Sequence, residues 1–235
     1  YDNFYCDIYD DLVFASVKNE FEIKEILRIV KSKKPLRILD VGSGTGHHVH
    51  LFTQKGHDVI GLDKSKAMVK QARKNYPKLT FELGDANKTL LYDENTFDLI
   101  TCLYFTIYYN KKKLTLLKNF YNWVKPGKYL ILHLVNRDRF DPILPAADPL
   151  YMVSPQKYAK KRITNSLVKF NDFQYKADFK FKKQKELAIF KETITDDASG
   201  HIRQNLHELY MPTQKEILSL AKEAGFKLLG KINGP

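Results

Sequence analysis

The chain has 235 residues, 43% of them hydrophobic, and its 39 Lys and Arg against 27 Asp and Glu give a formal net charge of +12. No apolar run approaches the roughly 20 residues of a membrane-spanning helix, and the two cysteines, Cys6 and Cys102, are too few for a disulfide framework. These properties argue against a membrane-spanning protein and a disulfide-stapled secreted domain, so we expect a cytoplasmic protein with a large hydrophobic core.

The first predicted element is an amphipathic helix over residues 12–31, because apolar residues recur there with helical spacing. Strands and helices then alternate as far as residue 135. The predicted strands cover residues 36–41, 58–63, 79–83, 97–105 and 129–135, and the predicted helices cover 45–55, 65–75 and 111–124, with a turn at 125–128. This alternation is typical of an α/β fold with a doubly wound, mostly parallel, Rossmann-like sheet.

The pattern changes after Val135. A proline-rich linker is predicted over residues 141–150, and apolar and polar residues then alternate with the period of antiparallel strands in residues 168–181, 186–196 and 202–211. These segments predict an inserted, three-stranded antiparallel β lid. A helix over 213–226 and a strand over 227–232 follow it.

Four regions are therefore expected. They are an N-terminal helical segment (1–35), a Rossmann-like core that binds the cofactor (36–150), the inserted β lid with the substrate region (151–212) and a return to the core (213–235).

A glycine-rich turn follows the first strand in LDVGSGTG, residues 39–46. Glycines between a strand and a helix predict a cradle for a nucleotide. The dinucleotide pattern Gly-x-Gly-x-x-Gly would need a glycine where this chain has His47, which weakens a nicotinamide dinucleotide reading. His47 and His50 could share a helical face, but zinc takes three or four ligands and no cysteine or carboxylate cluster lies nearby in the sequence, so we predict no metal.

Three acidic residues follow three successive strands: Asp40, Asp63 and Asp85. Ligands of open α/β sheets bind outside the carboxyl ends of the strands, so these carboxylates are expected to share one ligand. Asp63 is placed to accept both hydroxyls of a ribose. Asp85 would meet the amine of an adenine beside the main-chain amide of Ala86, and Met68 would pack on the base.

These motifs resemble a known family. LDVGSGTG, GLDKS, GDAN, FDLITCLYF and LKNFYNWVKPGKYLILHLV together are similar to the motif series of class I S-adenosylmethionine-dependent methyltransferases, over residues 1–135 and the final helix and strand. The opening YDNFYCDIYD, the Gly46-His47-His48 junction and the inserted sheet resemble small-molecule members, particularly the amino-sugar N-methyltransferases and the glycine N-methyltransferase group. The seventh strand of the family would have to follow Ile232.

The resemblance implies S-adenosylmethionine as cofactor, with S-adenosylhomocysteine as product, and an enzyme that transfers a methyl group. It implies that Tyr5 or Tyr9 closes over the cofactor and that His48 packs beside it. The full set of predicted cofactor residues is Tyr5, Tyr9, Asp40, Gly42, Ser43, Gly44, His48, Asp63, Lys64, Met68, Asp85, Ala86 and Leu103.

The predicted catalytic residues are Tyr108, Tyr109 and His133, which follow the fourth and fifth strands and could overlook the methyl group in this fold. Amino-sugar enzymes often place a histidine where this chain has Ile107-Tyr108-Tyr109, so a histidine base cannot be transferred to that loop. Predicted substrate contacts are Tyr104, Asn136 and Arg137, the last because a guanidinium binds phosphate or carboxylate with two hydrogen bonds.

Several functions remain open from the sequence. The leading hypothesis is methylation of a small molecule, such as a nucleotide-linked amino sugar, whose phosphate is attracted by ten Lys and Arg against two Asp in residues 157–185. The main alternative is methylation of RNA at a cap or tRNA site, for which the same basic stretch would be the binding surface. Protein methylation, and a binding module that has lost catalysis, are the others.

Overall fold

The computed structural model describes residues 5, 6, 10, 16–140, 164–169 and 172–232, with only the backbone at 166 and 168. Tyr9 and the predicted linker at 141–150 lie outside the described residues. Two compact units are present. The first comprises Tyr1–Ile107, Lys112–Leu134 and Lys215–Pro235, and the second comprises Tyr108–Lys111 and Val135–Gln214. Among the described residues, no helix has both the length and the apolarity that crossing a membrane would require.

The first unit alternates strands and helices as predicted. In chain order the strands are β1 (Arg37–Val41), β2 (Asp58–Asp63), β3 (Thr80–Leu83), β4 (Phe97–Cys102) and β5 (Val124–Leu132). The helices are α1 (Ser16–Val30), α2 (His47–Gln54), α3 (Lys66–Asn75), α4 (Lys113–Trp123) and α5 (Gln214–Ala224), with short 3₁₀ turns at Thr89–Leu91 and Thr106–Tyr109.

All five strands of this sheet are parallel, in the order β3-β2-β1-β4-β5. The central strands are apolar and enclosed: Ile38, Leu39, Leu99 and Ile100 have no exposed surface. This is expected of parallel strands that are covered on both faces. The order reverses between β1 and β4, and ligands of such sheets bind outside the strand ends at that point.

Three details of this unit differ from the sequence prediction. β4 ends at Cys102 rather than at 105, because the chain turns at Tyr104, whose φ is +51°. The predicted turn at 125–128 lies inside β5. The strand continues through it because the pairing with β4 changes register between Phe97 and Leu99 and because Gly127 adopts a positive φ. Residues 227–232 form no strand, and they pair with no strand among the described residues.

The second unit contains an antiparallel sheet of four strands, in the order β6-β7-β8-β9. Its strands are β6 (Asn165–Lys169), β7 (Phe173–Lys182), β8 (Leu187–Asp196) and β9 (Ile202–Tyr210). The prediction of three strands was wrong in number, because the segment predicted as one strand is divided between Lys169 and Phe173 and its two parts pair with each other. The inserted antiparallel sheet itself, and the doubly wound parallel sheet, are confirmed.

One face of the antiparallel sheet is covered and the other is solvated. Along β7, buried Tyr175, Ala177 and Phe179 alternate with exposed Lys176 and Lys180. The covered face defines the core of the second unit, while the lysines of β7 lie on its solvated face. We call the covered face the inner face of this sheet.

Candidate functional site

The glycine-rich turn after β1 is held against β2. The main-chain amides of Gly42 and Ser43 donate to the carbonyl oxygen of Leu62 over 2.7 and 3.1 Å. Gly42 and Gly44 have φ of +74° and +54°, which glycine adopts without steric cost. A Cβ at Gly42 would collide with Thr106, whereas a Cβ at Gly44 would meet no described residue within 4 Å. The turn therefore leaves open space above Gly44, as close approach of a ligand to the backbone requires.

Asp63 ends β2 with both carboxylate oxygens anchored. Oδ2 accepts a hydrogen bond from the amide of Gly44 over 3.0 Å, and Oδ1 accepts one from the amide of Ser65 over 2.8 Å. Burial raises the pKa of this carboxyl above its usual value, despite the two amide donors. Because a carboxylate has about four lone-pair sites, each oxygen can still accept one more donor, with its orientation already set.

Asp40, near the end of β1, is almost fully buried, and its Oδ1 accepts a hydrogen bond from the hydroxyl of Thr101 over 2.7 Å. Burial raises the pKa of this carboxyl. The neighbouring hydroxyl of Ser43 is buried and forms no hydrogen bond with any described residue. A buried polar group without a partner costs about 1–3 kcal/mol, so the turn has the polar groups of a site that a polar ligand completes.

The third strand-end carboxylate, Asp85, is exposed. Its Oδ1 accepts hydrogen bonds from the main-chain and side-chain amides of Asn87, over 2.9 and 3.0 Å, and the main-chain bond lowers its pKa. The buried Ala86 follows, and its carbonyl oxygen accepts a hydrogen bond from the side chain of Asn119 on α4 over 2.8 Å. Lys64, on the loop after β2, is exposed.

Tyr5, Cys6 and Met68 are buried. The sulfur atoms of Cys6 and Met68 lie 3.6 Å apart, which places Cys6 against α3. The main-chain amide of Met68 donates to the side chain of Ser65, whose own amide donates to Asp63, and the contact of Met68 with a base stays a prediction.

The histidines of HHVH have partners other than a metal. Nε2 of His47 lies 2.9 Å from Oδ1 of Asp10, which also accepts a hydrogen bond from the hydroxyl of Thr45 over 2.6 Å. Nδ1 of His47 lies 2.6 Å from the hydroxyl of Tyr76, on whose ring His50 stacks. Within the described part of the chain, no group of three or more His, Cys, Asp or Glu could hold a metal ion.

A polar cluster joins α1 to the loop after β4. Nε2 of His48 lies 3.0 Å from Oε2 of Glu22, and Nζ of Lys18 lies 3.9 Å from Oε1 of the same residue. Lys18 also lies over the ring of Tyr104, 4.5 Å from its centroid. The hydroxyl of Tyr104 donates to Oδ1 of the buried Asn19 over 2.9 Å. Tyr104 is thus held on both its face and its hydroxyl.

His133 follows β5 and belongs to the same polar cluster. Its main-chain amide donates to the carbonyl oxygen of Cys102 over 3.0 Å, and its ring lies 6.4 and 6.1 Å from the rings of Tyr104 and Phe105. Burial, and then the nearby charge of Lys18, lower the pKa of His133. The imidazole is therefore neutral at pH 7. Leu103 of the preceding loop is buried.

The two predicted catalytic tyrosines lie in the second unit and differ in their surroundings. Tyr108 has no exposed surface, and its hydroxyl accepts a hydrogen bond from the main-chain amide of Val135 over 2.9 Å, which favours a structural role. Tyr109 is only half-buried. Its hydroxyl lies 3.4 Å from Nδ1 of His207.

The predicted substrate residues of the second unit are engaged with their own unit. Nη1 of Arg137 donates to Oε1 of Glu186 and to the carbonyl oxygen of Met211, each over 3.0 Å. Asn136 is exposed, and its side-chain oxygen accepts a hydrogen bond from the amide of Asp138 over 3.1 Å. These two contacts engage Nη1 alone, so the predicted role of Arg137 in substrate binding stays a prediction.

The sequence reasoning missed polar residues that lie on otherwise apolar faces. Asn19 occupies the buried stripe of α1 together with Ile23. Glu192 and His207 occupy inward positions of β8 and β9. The signal was present in each case, since each polar residue interrupts the apolar period of its own element.

Comparison with known proteins agrees with this geometry. The family model described as a methyltransferase domain matches residues 38–127. The chain is 34% identical over 108 residues to a dTDP-4-amino-2,3,4,6-tetradeoxy-D-glucose N,N-dimethyltransferase of Saccharopolyspora spinosa, covering 45% of this chain and 43% of that enzyme. It is 30% identical over 145 residues to a glycine/sarcosine N-methyltransferase of Halorhodospira halochloris, covering 57% of this chain and 53% of that enzyme. The chain therefore spans about half the length of the curated relatives it matches.

Solved structures share the fold over almost the whole chain. The CcbJ methyltransferase of Streptomyces caelestis superimposes with a TM-score of 0.76 at 15% identity, covering 96% of this chain and 86% of that one. DesVI of Streptomyces venezuelae superimposes with a TM-score of 0.71 at 20% identity, covering 97% and 92%. At such identities the likeness concerns the fold.

The strand order, the glycine turn and the three strand-end carboxylates define a doubly wound α/β domain with a candidate ligand site at its strand ends. Residues 38–127, which include this site, are similar to a methyltransferase domain.

Proposed function

We propose that the protein transfers a methyl group from S-adenosylmethionine to a nitrogen of a small polar acceptor. The observation that carries this proposal is the arrangement at the glycine turn. Open space above Gly44, a buried hydroxyl at Ser43 without a partner among the described residues, and a preoriented carboxylate at Asp63 lie together where the strand order reverses.

The chain's own residues would hold the cofactor as follows. Asp63 accepts the two ribose hydroxyls, and Asp85, Ala86 and Met68 contact the adenine. The remaining residues proposed to contact the cofactor are Tyr5, Asp40, Gly42, Ser43, Gly44, His48, Lys64 and Leu103. When bound, S-adenosylmethionine supplies an electrophilic methyl group on a positively charged sulfur.

The proposed acceptor class is an amino sugar linked to a nucleotide. Two relatives that are 34% and 36% identical over the matched segments are named as dTDP-amino-sugar N,N-dimethyltransferases. The exposed lysines on the solvated face of β7, such as Lys176 and Lys180, add a positive field that favours phosphate-bearing small molecules. No described observation favours RNA over such a molecule.

His133 is the proposed proton acceptor. An amine attacks the methyl group as the neutral base and must lose a proton after it becomes alkylated. Because burial keeps His133 neutral, its ring can take that proton near pH 7. Tyr104 and Phe105 hold the ring in place through aromatic contacts.

The proposal is tested with S-adenosylmethionine carrying a labelled methyl group and two acceptor pools: amines with nucleotide-linked amino sugars, and total RNA. We expect label in the first pool alone. Asp63→Asn should weaken S-adenosylmethionine binding, measured by calorimetry, by at least about ten-fold, because one oxygen that accepts a ribose hydroxyl is replaced by a donor. Label in RNA alone would overturn the small-molecule acceptor.

His133→Asn separates the role of this residue from cofactor binding. We expect the rate at saturating acceptor to fall by about 10²-fold or more while the affinity for S-adenosylmethionine stays unchanged. In the unsubstituted protein, activity should persist below pH 6.5 because the pKa of His133 lies below its usual value. His201→Asn, at an exposed histidine, is the matched control, and an unchanged rate in His133→Asn would remove this residue from the mechanism.

A further inference from the structure

The polar cluster of the first unit is built around the ring of Tyr104. Nζ of Lys18 lies over this ring, 4.5 Å from its centroid. The ring of His133 lies 6.4 Å from the same centroid, and the ring of His48 meets it edge to face at 5.7 Å. Three side chains that can carry a positive charge therefore share one aromatic neighbour.

The carboxylate of this cluster is Glu22. It follows Lys18 by four positions, so the two side chains lie on one face of α1, and Nζ of Lys18 lies 3.9 Å from Oε1 of Glu22. Its Oε2 lies 3.0 Å from Nε2 of His48. Although burial opposes them, the hydrogen bond with His48 and the charge of Lys18 lower the pKa of Glu22. Glu22 is therefore ionised at neutral pH.

Tyr104 holds the cluster together without adding a charge to it. Its hydroxyl donates to Oδ1 of the buried Asn19 over 2.9 Å, which fixes the ring against α1. Burial, and then the charge of Glu22, raise the pKa of Tyr104. The phenol is therefore neutral at neutral pH, and the fixed charges of the cluster are those of Lys18 and Glu22.

The imidazole of His133 is within reach of these charges and is not bonded to them. Within the described part of the chain, neither of its ring nitrogens forms a hydrogen bond, and its ring contacts are those with Tyr104 and Phe105. Burial lowers the pKa of His133, the charge of Lys18 lowers it further, and the charge of Glu22 raises it. The titratable side chains of the first unit that act on this ring or touch it are Lys18, Glu22, His48 and Tyr104.

We propose that Lys18 and Glu22 are positioning residues that act through His133. The cation of Lys18 opposes a proton on the imidazole and so keeps the ring free to accept one, while the carboxylate of Glu22 balances the charge of the ring once the proton is bound. This inference rests on the proposed function and adds the groups that tune its base. In the step itself an N–H bond of the alkylated amine breaks, its electron pair stays on that nitrogen, and the proton binds a ring nitrogen of His133.

Packing, rather than this ion pair, holds α1 in the first unit. Ile23, Ile26 and Val30 are buried along the helix. An ion pair between positions i and i+4 of a partly exposed helix face adds little to stability. The titration of His133, rather than the stability of the fold, is therefore the property that removal of either charge should change.

The first test titrates His133 without a substrate. In protein with ¹⁵N-labelled histidine, the signals of His133 are those missing in His133→Asn, and their midpoint should lie below pH 6.5. Lys18→Met should raise the midpoint by about half to one pH unit, and Glu22→Gln should lower it by a similar amount. Glutamine keeps an oxygen that can accept from His48, so this variant removes the charge of Glu22 and not its contact.

Matched controls are available at exposed positions of α1. Lys24→Met and Glu20→Gln repeat the two chemical changes there, and should leave the midpoint of His133 unchanged. A midpoint that stays in place in both Lys18→Met and Glu22→Gln, or that moves in the same direction in both, would overturn the proposal. A shift in one of these variants alone would support that residue and overturn the other.

The second test follows the rate of transfer to a dTDP-linked amino sugar at saturation. The pH at which the rate falls on the acid side should rise in Lys18→Met and drop in Glu22→Gln, together with the midpoint of His133. A rate profile that does not follow a shifted midpoint would overturn the role of both residues in proton transfer. Absence of transfer to this sugar would contradict the proposed acceptor, and the titration of His133 would still decide whether the two charges act on its ring.

Discussion

Asp40 is an ionisable side chain at a buried position, where folding favours the neutral form of its carboxyl group. Burial raises the pKa of this carboxyl from the usual value of 3.8. The protonated form is therefore favoured by folding, and the stability linked to it is present at low pH and lost as the pH rises through the raised pKa. Above that pKa the buried charge costs stability, beside a turn that we propose to bind a cation.

The first prediction follows from the raised pKa of Asp40. Asp40→Asn keeps an oxygen for the Thr101 hydroxyl but removes the buried charge, so we expect the melting temperature at pH 7.5 to rise by about 2–4 °C. The gain should shrink as the pH is lowered toward 4. Binding of S-adenosylmethionine, measured by calorimetry, should weaken at the same time.

Asp98→Asn is the control, and it should change the melting temperature in the opposite direction. Although burial opposes them, hydrogen bonds from the Arg37 amide and Lys125 lower the pKa of Asp98, so its ionised form is favoured by folding. Its replacement should lower the melting temperature at pH 7.5. Equal shifts of the same sign in both variants would contradict the assignment of Asp40.

Gly44 and Gly46 offer a second prediction, because both have positive φ but different surroundings. A Cβ at Gly46 would lie 2.6 Å from the ring of Phe81, whereas a Cβ at Gly44 would meet no described residue within 4 Å. Gly44→Ala should cost about 1–2 kcal/mol in unfolding free energy for the backbone alone. Gly46→Ala should cost about 2–5 kcal/mol, because overpacking adds to it.

Urea unfolding measures the two costs, and calorimetry measures cofactor binding. Gly44→Ala should weaken S-adenosylmethionine binding far more than its small effect on stability suggests, because the added methyl group occupies the open space above the turn. If Gly44→Ala bound the cofactor normally, the proposed position of the ligand would be wrong.

At the scale of elements, the start of α3 links a helix cap to the candidate site. Ser65 caps this helix by accepting a hydrogen bond from the amide of Met68 over 3.3 Å, and its own amide donates to Asp63. The same residue therefore begins the helix and orients the carboxylate at the end of β2. Serine is a preferred N-cap residue, so this contact has a local signal in the sequence.

The third prediction concerns this cap. Ser65→Ala should lower the free energy of unfolding by about 1 kcal/mol, measured by urea denaturation, because the Met68 amide loses its acceptor. Ser219→Ala, at an exposed position inside α5, is the control and should leave stability unchanged or raise it slightly, because alanine is the better helix former. A loss at position 219 as large as at 65 would mean that the cap is not the cause.

The strand boundaries of the antiparallel sheet could not all be predicted from the sequence. The alternation of residues identified its strands, but not the break between Lys169 and Phe173, because the alternating pattern runs on through the place where the chain turns. The opposite error occurred at 227–232, where apolar residues predicted a strand. Leu228 and Leu229 are 62% and 77% exposed there, because a strand also needs a partner.

For the whole molecule, the charge of +12 bears on which acceptors reach the protein. On β7, the lysines of the solvated face alternate with buried residues and share that face with Asp178. A positive field of this kind raises the local concentration of any phosphate-bearing molecule. The number of phosphates engaged is what distinguishes a small acceptor from RNA.

The fourth prediction uses salt dependence to distinguish a small acceptor from RNA. Transfer to a nucleotide-linked amino sugar should change by no more than about three-fold between 50 and 200 mM salt, because few charges are involved. Binding to RNA through 6–10 phosphates would fall by about 10³–10⁵ over the same range. Initial rates at low acceptor concentration measure the effect, and a steep dependence would favour a nucleic acid.

The order and type of residues along the chain determined the parallel sheet, the glycine turn and the three strand-end carboxylates. These follow from local periodicity and from the rule that parallel strands gather their carboxyl ends at one edge. The resemblance to methyltransferases rested on the same local motifs, and the family match on residues 38–127 agrees with it.

Only the tertiary structure decided which polar residues meet. Asp10 pairs with His47 and Glu22 with His48, across 37 and 26 positions of the chain, and Glu192 meets His207 between neighbouring strands. Hydrogen bonding acts over about 3 Å in space and carries no trace in the spacing of residues along the sequence. The sequence therefore predicted where a cofactor would lie, while the partners of His133 and Tyr109 depended on how distant segments pack.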